Sequence, residues 1–114
     1  MLAFDIETEG LDSVVDDITV ASVYDPDRDI KKTFFFKREG FDRQENIDQF
    51  LQVLDDAPLL CCFNGVRFDI PFIIARFDVA QARYTNWFMK VGVCCMRLYS
   101  MVKFRTLTFS ISGI

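Results

Sequence analysis

The sequence predicts an α/β domain built on a mixed sheet, three antiparallel strands followed by a parallel one, with helices flanking them. Three observations carry this. Three strand-like segments follow one another at the N-terminus, separated by turn signals. A segment of helical period with its own start and stop signals comes next. A short, wholly apolar run then follows that helix, as expected of a buried strand reached by a crossover.

Each element has a local cause. Leu2–Thr8 is the first strand, ended by Gly10, and 12–17 is a polar turn. Ile18–Tyr24 alternates apolar with small or polar residues as a second strand. Asp25-Pro26-Asp27 marks a turn, because proline presets φ and aspartate bonds its own backbone. Ile30–Lys37 is the third strand, paired antiparallel with the second; its Phe34-Phe35-Phe36 run requires burial on both faces or one exposed ring. Asp42 and Glu45 have capping-box spacing, and Ile47, Phe50, Leu51 and Leu54 form one apolar helical face that Pro58 closes. Leu59–Phe63 is a fourth, buried strand broken by Asn64-Gly65. The spacing predicts a helix from Phe68 to about Gln81, with Pro71 in its first turn, where a missing N–H is harmless. Thr85 or Asn86 is placed to cap a short helix over Trp87–Lys90. Val93–Val102 suits a strand or a buried helix, and Thr106–Ile114 alternates like a strand but also suits the start of a helix.

Composition narrows the chemistry. The chain has 114 residues, the size of one small domain, and its 51% hydrophobic content with 13 Phe is ample for a core. No apolar run approaches the ~18 residues of a membrane span, and the N-terminus lacks signal-peptide features, so a soluble intracellular domain is expected. There is no histidine, which excludes Ser-His-Asp and Cys-His nucleophile systems and imidazole-bound zinc. The four cysteines form two adjacent pairs, Cys61-Cys62 and Cys94-Cys95, without zinc-site spacers, and read as small buried hydrophobes. Net charge is −4, but the last acid is Asp78, and residues 79–114 carry five basic side chains and no acidic one. An acidic centre flanked by a basic surface suits phosphate-bearing ligands, and an ordinary solvated face accounts for the same numbers.

Two segments concentrate candidate chemistry. In Phe4-Asp5-Ile6-Glu7-Thr8 the two carboxylates lie two apart on a strand and therefore share a face. Two like charges beside a core are costly unless a cation sits between them, and a divalent metal with hard oxygen ligands is the simplest compensation. The second is Asn64-Gly65-Val66-Arg67-Phe68-Asp69-Ile70-Pro71-Phe72, where a strand runs into a loop and Asp69 meets a helix start. If that strand lies beside the first, Asp69 approaches Asp5 and Glu7. Taken singly, Asp69 reads as a helix cap, Phe68 as a core ring and Arg67 as a solvated loop residue.

Together the two segments resemble the ribonuclease H-like 3′–5′ exonucleases of the DEDD superfamily, most of all the proofreading domains of family B DNA polymerases. The resemblance covers residues 2–12 and 60–75. It implies a ribonuclease H-like mixed sheet and metal-dependent hydrolysis of phosphodiester bonds at nucleic-acid 3′ ends by a two-metal mechanism. It implies that Asp5, Glu7 and Asp69 are catalytic and bind two Mg2+ or Mn2+ ions. Asp5 would bridge the ions, Glu7 would hold the nucleophile's metal, and Asp69 would complete the second site. Thr8, Leu11, Asn64 and Phe68 would contact or support a single-stranded DNA or RNA 3′ end.

The superfamily also needs a fourth carboxylate preceded by a tyrosine or histidine, and no acid follows Asp78. Tyr99 to Lys103 has the right spacing with the wrong terminal residue, and Arg97 precedes Leu98 where relatives often carry Asp. The expectation is therefore a single, partial domain over 1–114, incomplete at its C-terminus, with weak or no activity. The alternatives are a non-catalytic ribonuclease H-like module that binds nucleic acid or protein, and a fragment of a larger polymerase. Oligomeric state stays open.

Overall fold

The computed structural model describes residues 1–36, 40, 42–62 and 65–91. Four strands, β1 (Leu2–Thr8), β2 (Ile18–Asp25), β3 (Ile30–Phe35) and β4 (Leu60–Cys61), form one sheet in the order β3-β2-β1-β4. β1 pairs antiparallel with β2, β2 antiparallel with β3, and β1 parallel with β4. This is the mixed sheet expected from the sequence. Helix α1 (Asp42–Asp56) is the crossover that lets β4 enter parallel to β1. A π-helical turn (Gly65–Asp69), α2 (Ile70–Phe77) and α3 (Gln81–Met89) follow.

The register sorts side chains between the two faces of the sheet. Ile6 pairs with Ala21 and Ala21 with Phe34, so these three share a face. Against that face α1 lays Phe50, whose ring centroid is 5.6 Å from that of Phe34 and 5.8 Å from that of Phe36. Ile47, Phe50, Leu51 and Leu54 are all buried, as the helical period requires. Asp5 pairs with Ser22 and Glu7 with Val20, which places both carboxylates on the opposite face. Phe35 pairs with Val20 on that same face and is 54% exposed, so the phenylalanine triplet takes the arrangement with one exposed ring.

Several boundaries differ from expectation. The expected helix from Phe68 to Gln81 is broken: α2 stops at Phe77 because Asp78 takes a left-handed conformation, φ 52° and ψ 56°, and returns its N–H to the Ile74 carbonyl. Aspartate tolerates this conformation better than most residues. The short helix expected over Trp87–Lys90 instead begins at Gln81, capped by the extended Ala80 backbone with no side-chain hydrogen bond. Burial of Trp87, 0% exposed, anchors its last turn and favours the longer helix. Asp42 is the first residue of α1 and lies in its first turn. β4 is confined to Leu60–Cys61, and an isolated parallel bridge joins Leu60 to Val91. Cys61 and Cys62 are buried and in no disulfide among the described residues. The expectations for Lys37, Phe63, Cys94-Cys95, Val93–Val102 and Thr106–Ile114 lie outside the described residues. No helix among the described residues is long and apolar enough to cross a membrane.

Candidate metal centre

The site is built around the carboxyl end of β1. Asp5 is half-buried and Glu7 exposed, on the sheet face that α1 leaves open. The pairing register shifts between Glu7 and Thr8: Glu7 opposes Val20 but Thr8 opposes Ile18, leaving Thr19 as the extra residue of a bulge. Such bulges re-aim side chains and often lie beside active sites. Here the Thr19 hydroxyl donates to the Glu7 main-chain carbonyl at 3.1 Å, which ties the bulge to β1 at Glu7.

Parallel pairing of Leu2 with Leu60 and Ala3 with Cys61 means the chain leaving β4 emerges at the end of β1 that carries Asp5 and Glu7. The π-helical turn Gly65–Asp69 packs against β1 there. Single π turns recur at functional sites because they displace side chains from the regular helical path. Asp69 ends the turn and is 5% exposed. Its backbone is helical, φ −61° and ψ −52°, and its side chain makes no capping hydrogen bond. Asp69 thus lies within a continuous helical path from the π turn into α2 rather than at the helix-cap position expected from the sequence.

The remaining candidates take defined places. The Thr8 hydroxyl donates to the Gly10 carbonyl at 2.6 Å and closes the turn after β1. Leu11 is 86% exposed at the tip of the β1–β2 loop, with Val14 at 78% and Val15 at 66% beside it. Sequence reasoning missed this pair of valines, whose only signal is an apolar dipeptide within an otherwise polar turn. Phe68 is half-buried, its ring 5.4 Å from that of Phe72. Arg67 is exposed. Asn64 lies outside the described residues.

The donor chemistry fits a hard divalent cation: two carboxylates on one strand face, and a third, buried, on a segment packed against that strand. Among the described residues no three His, Cys, Asp or Glu side chains converge closely enough to hold an ion as they stand. The structure thus brings the segments of Asp5, Glu7 and Asp69 together without gathering the three carboxylates into a ligand set.

Comparisons with known proteins agree with this architecture. The family model described as the RNase_H superfamily matches residues 2–108. Among solved structures, the chain is similar to the family B DNA polymerase from the hyperthermophilic archaeon Pyrobaculum calidifontis, with a TM-score of 0.56 and 24% sequence identity. That match covers 68% of this chain and 10% of the polymerase, so the likeness is one of fold over a tenth of the larger protein. None of the curated proteins compared with the chain matches it. A mixed sheet in the order β3-β2-β1-β4, with acidic residues at the end of its first strand, and a family match spanning nearly the whole chain lead to one conclusion: the chain belongs to the RNase_H superfamily.

Proposed function

We propose that this chain is a metal-dependent 3′–5′ exonuclease-like domain, spanning 1–114, that acts on the 3′ ends of single-stranded DNA or RNA. The observation that carries the reading is Asp69: a buried carboxylate at the end of a π turn packed against the strand that bears Asp5 and Glu7. Asp5, Glu7 and Asp69 would hold two Mg2+ or Mn2+ ions. Bound there, such ions supply the positive charge that activates water and stabilises the departing 3′ oxygen. The chain's own residues bind and orient. Thr8 holds the turn after β1 closed, and Leu11 offers an apolar tip for the terminal nucleotide. Phe68, braced on Phe72, backs the segment that carries Asp69.

A 5′-labelled single strand incubated with the protein and Mn2+ tests this. Products shortening stepwise from the 3′ end, lost with EDTA and in Asp5→Ala, support the reading. Ladders that persist in Asp5→Ala refute the site.

A second reading is a non-catalytic ribonuclease H-like binding module, favoured by the carboxylates that do not converge among the described residues. It predicts single-strand binding that EDTA does not alter, with no cleavage.

A further inference from the structure

Asp17 is a nearly buried acid, 6% exposed, at the junction between the β1–β2 loop and β2. Its Oδ1 accepts the Ile18 N–H at 2.9 Å, its own N–H donates to Glu9 Oε1 at 2.8 Å, and its carbonyl accepts the Glu9 N–H at 2.9 Å. The loop is thereby closed on itself directly after the strand that carries Asp5 and Glu7. Two arginines reach the same carboxylate from different helices. Arg43 of α1 brings Nη2 to 3.1 Å, and Arg76 of α2 brings Nε to 3.8 Å.

Arg76 does more than balance charge. It sits in the last turn of α2, the helix that begins immediately after Asp69. Its Nη1 donates to the Val14 carbonyl at the loop tip, 3.0 Å away. One planar fork thus touches both the base and the tip of the β1–β2 loop, which a lysine's point charge cannot do. Its Nε is buried and donates no hydrogen bond among the described residues. Its contact with Asp17 is therefore an ion pair without a hydrogen bond.

We propose that Arg76 is a positioning residue: by bridging Asp17 and the Val14 carbonyl, it holds the β1–β2 loop against the helix that follows Asp69 and sets the approach of Asp5 and Glu7 to Asp69. This rests on the metal-binding reading of those carboxylates. Groups that orient ligands from outside the coordination shell commonly change metal affinity by about 10–100-fold when removed. Arg43 remains beside Asp17 in an Arg76 variant, so that acid is not left as an isolated buried charge.

The experiment is Mn2+ binding to the full chain, read from loss of the free-ion electron paramagnetic resonance signal, with thermal melts in parallel. Wild type is compared with Arg76→Met, Arg76→Lys and Arg83→Met; Arg83 pairs with Asp55 on α1, away from the loop. Arg76→Met is expected to weaken Mn2+ binding about tenfold and Arg76→Lys to restore part of it, while Arg83→Met lowers only the melting temperature. Wild-type affinity in Arg76→Met overturns the proposal and leaves the metal reading intact. If Arg76→Met does not fold, unchanged affinity in Arg76→Lys overturns it equally. Failure of the wild-type chain to bind Mn2+ overturns the metal reading and the proposal with it.

Discussion

Lys90 is expected to be among the most costly charged side chains to remove. It follows α3, and its ammonium donates to three main-chain carbonyls at the end of α1: Leu54 at 2.8 Å, Asp55 at 2.6 Å and Ala57 at 2.8 Å. α1 has no basic residue in its own last turn, so this cation from another element satisfies its orphan carbonyls and faces the negative end of its dipole. The Lys90 carbonyl also accepts the Leu60 N–H at 2.9 Å, so the residue links α1, α3 and β4. At about 1.5 kcal/mol per bond from a charged donor, three bonds would sum to about 4–5 kcal/mol. They share one nitrogen and are only partly buried, so water recovers part of the loss, leaving about 2–3 kcal/mol for Lys90→Met. Urea unfolding followed by the fluorescence of Trp87, the single tryptophan and fully buried, measures this directly. Lys90→Arg should fall between, since a flat guanidinium cannot reproduce three bonds from one atom. A loss below about 0.5 kcal/mol for Lys90→Met, the range of ordinary surface changes, refutes the clamp.

Three further outcomes are expected. Asp69→Asn should weaken Mn2+ binding by at least about tenfold, because a neutral amide is a poorer ligand than a carboxylate for a hard divalent cation; calorimetric titration showing unchanged affinity counts against Asp69 as a ligand. Gly10→Ala should destabilise by about 1–3 kcal/mol in urea, since a Cβ there meets the Asp16 carboxylate that accepts the Asp12 N–H. Combining it with Asp16→Ala should restore part of that loss, and strict additivity would disprove the clash. Leu11→Ala should leave stability within about 0.5 kcal/mol but weaken single-strand binding by roughly fivefold, about 1 kcal/mol of apolar contact; fluorescence anisotropy showing equal affinity would remove Leu11 from the substrate surface.

What the sequence determined by itself was the part encoded in local period and turn chemistry. Alternation placed Asp5 and Glu7 on one face of β1, and a 3.6-residue period placed Ile47, Phe50, Leu51 and Leu54 on the buried face of α1. The helix between two apolar strands implied the parallel entry of β4, which the pairing of Leu2 with Leu60 bears out. Tertiary structure decided what depends on residues far apart in the chain. The helix after Asp69 ends at Phe77 on a left-handed Asp78 rather than continuing to Gln81, and α3 starts early because Trp87 is buried with its indole N–H on Asp55 at 2.7 Å. Asp17, unremarked in a polar turn, became the meeting point of Arg43 and Arg76, partners 26 and 59 residues away. The carboxylates follow the same division. Their shared face is a property of one strand and was legible. Where the segment of Asp69 packs relative to them depends on a π turn and on the parallel entry of β4, and only the folded chain expresses that.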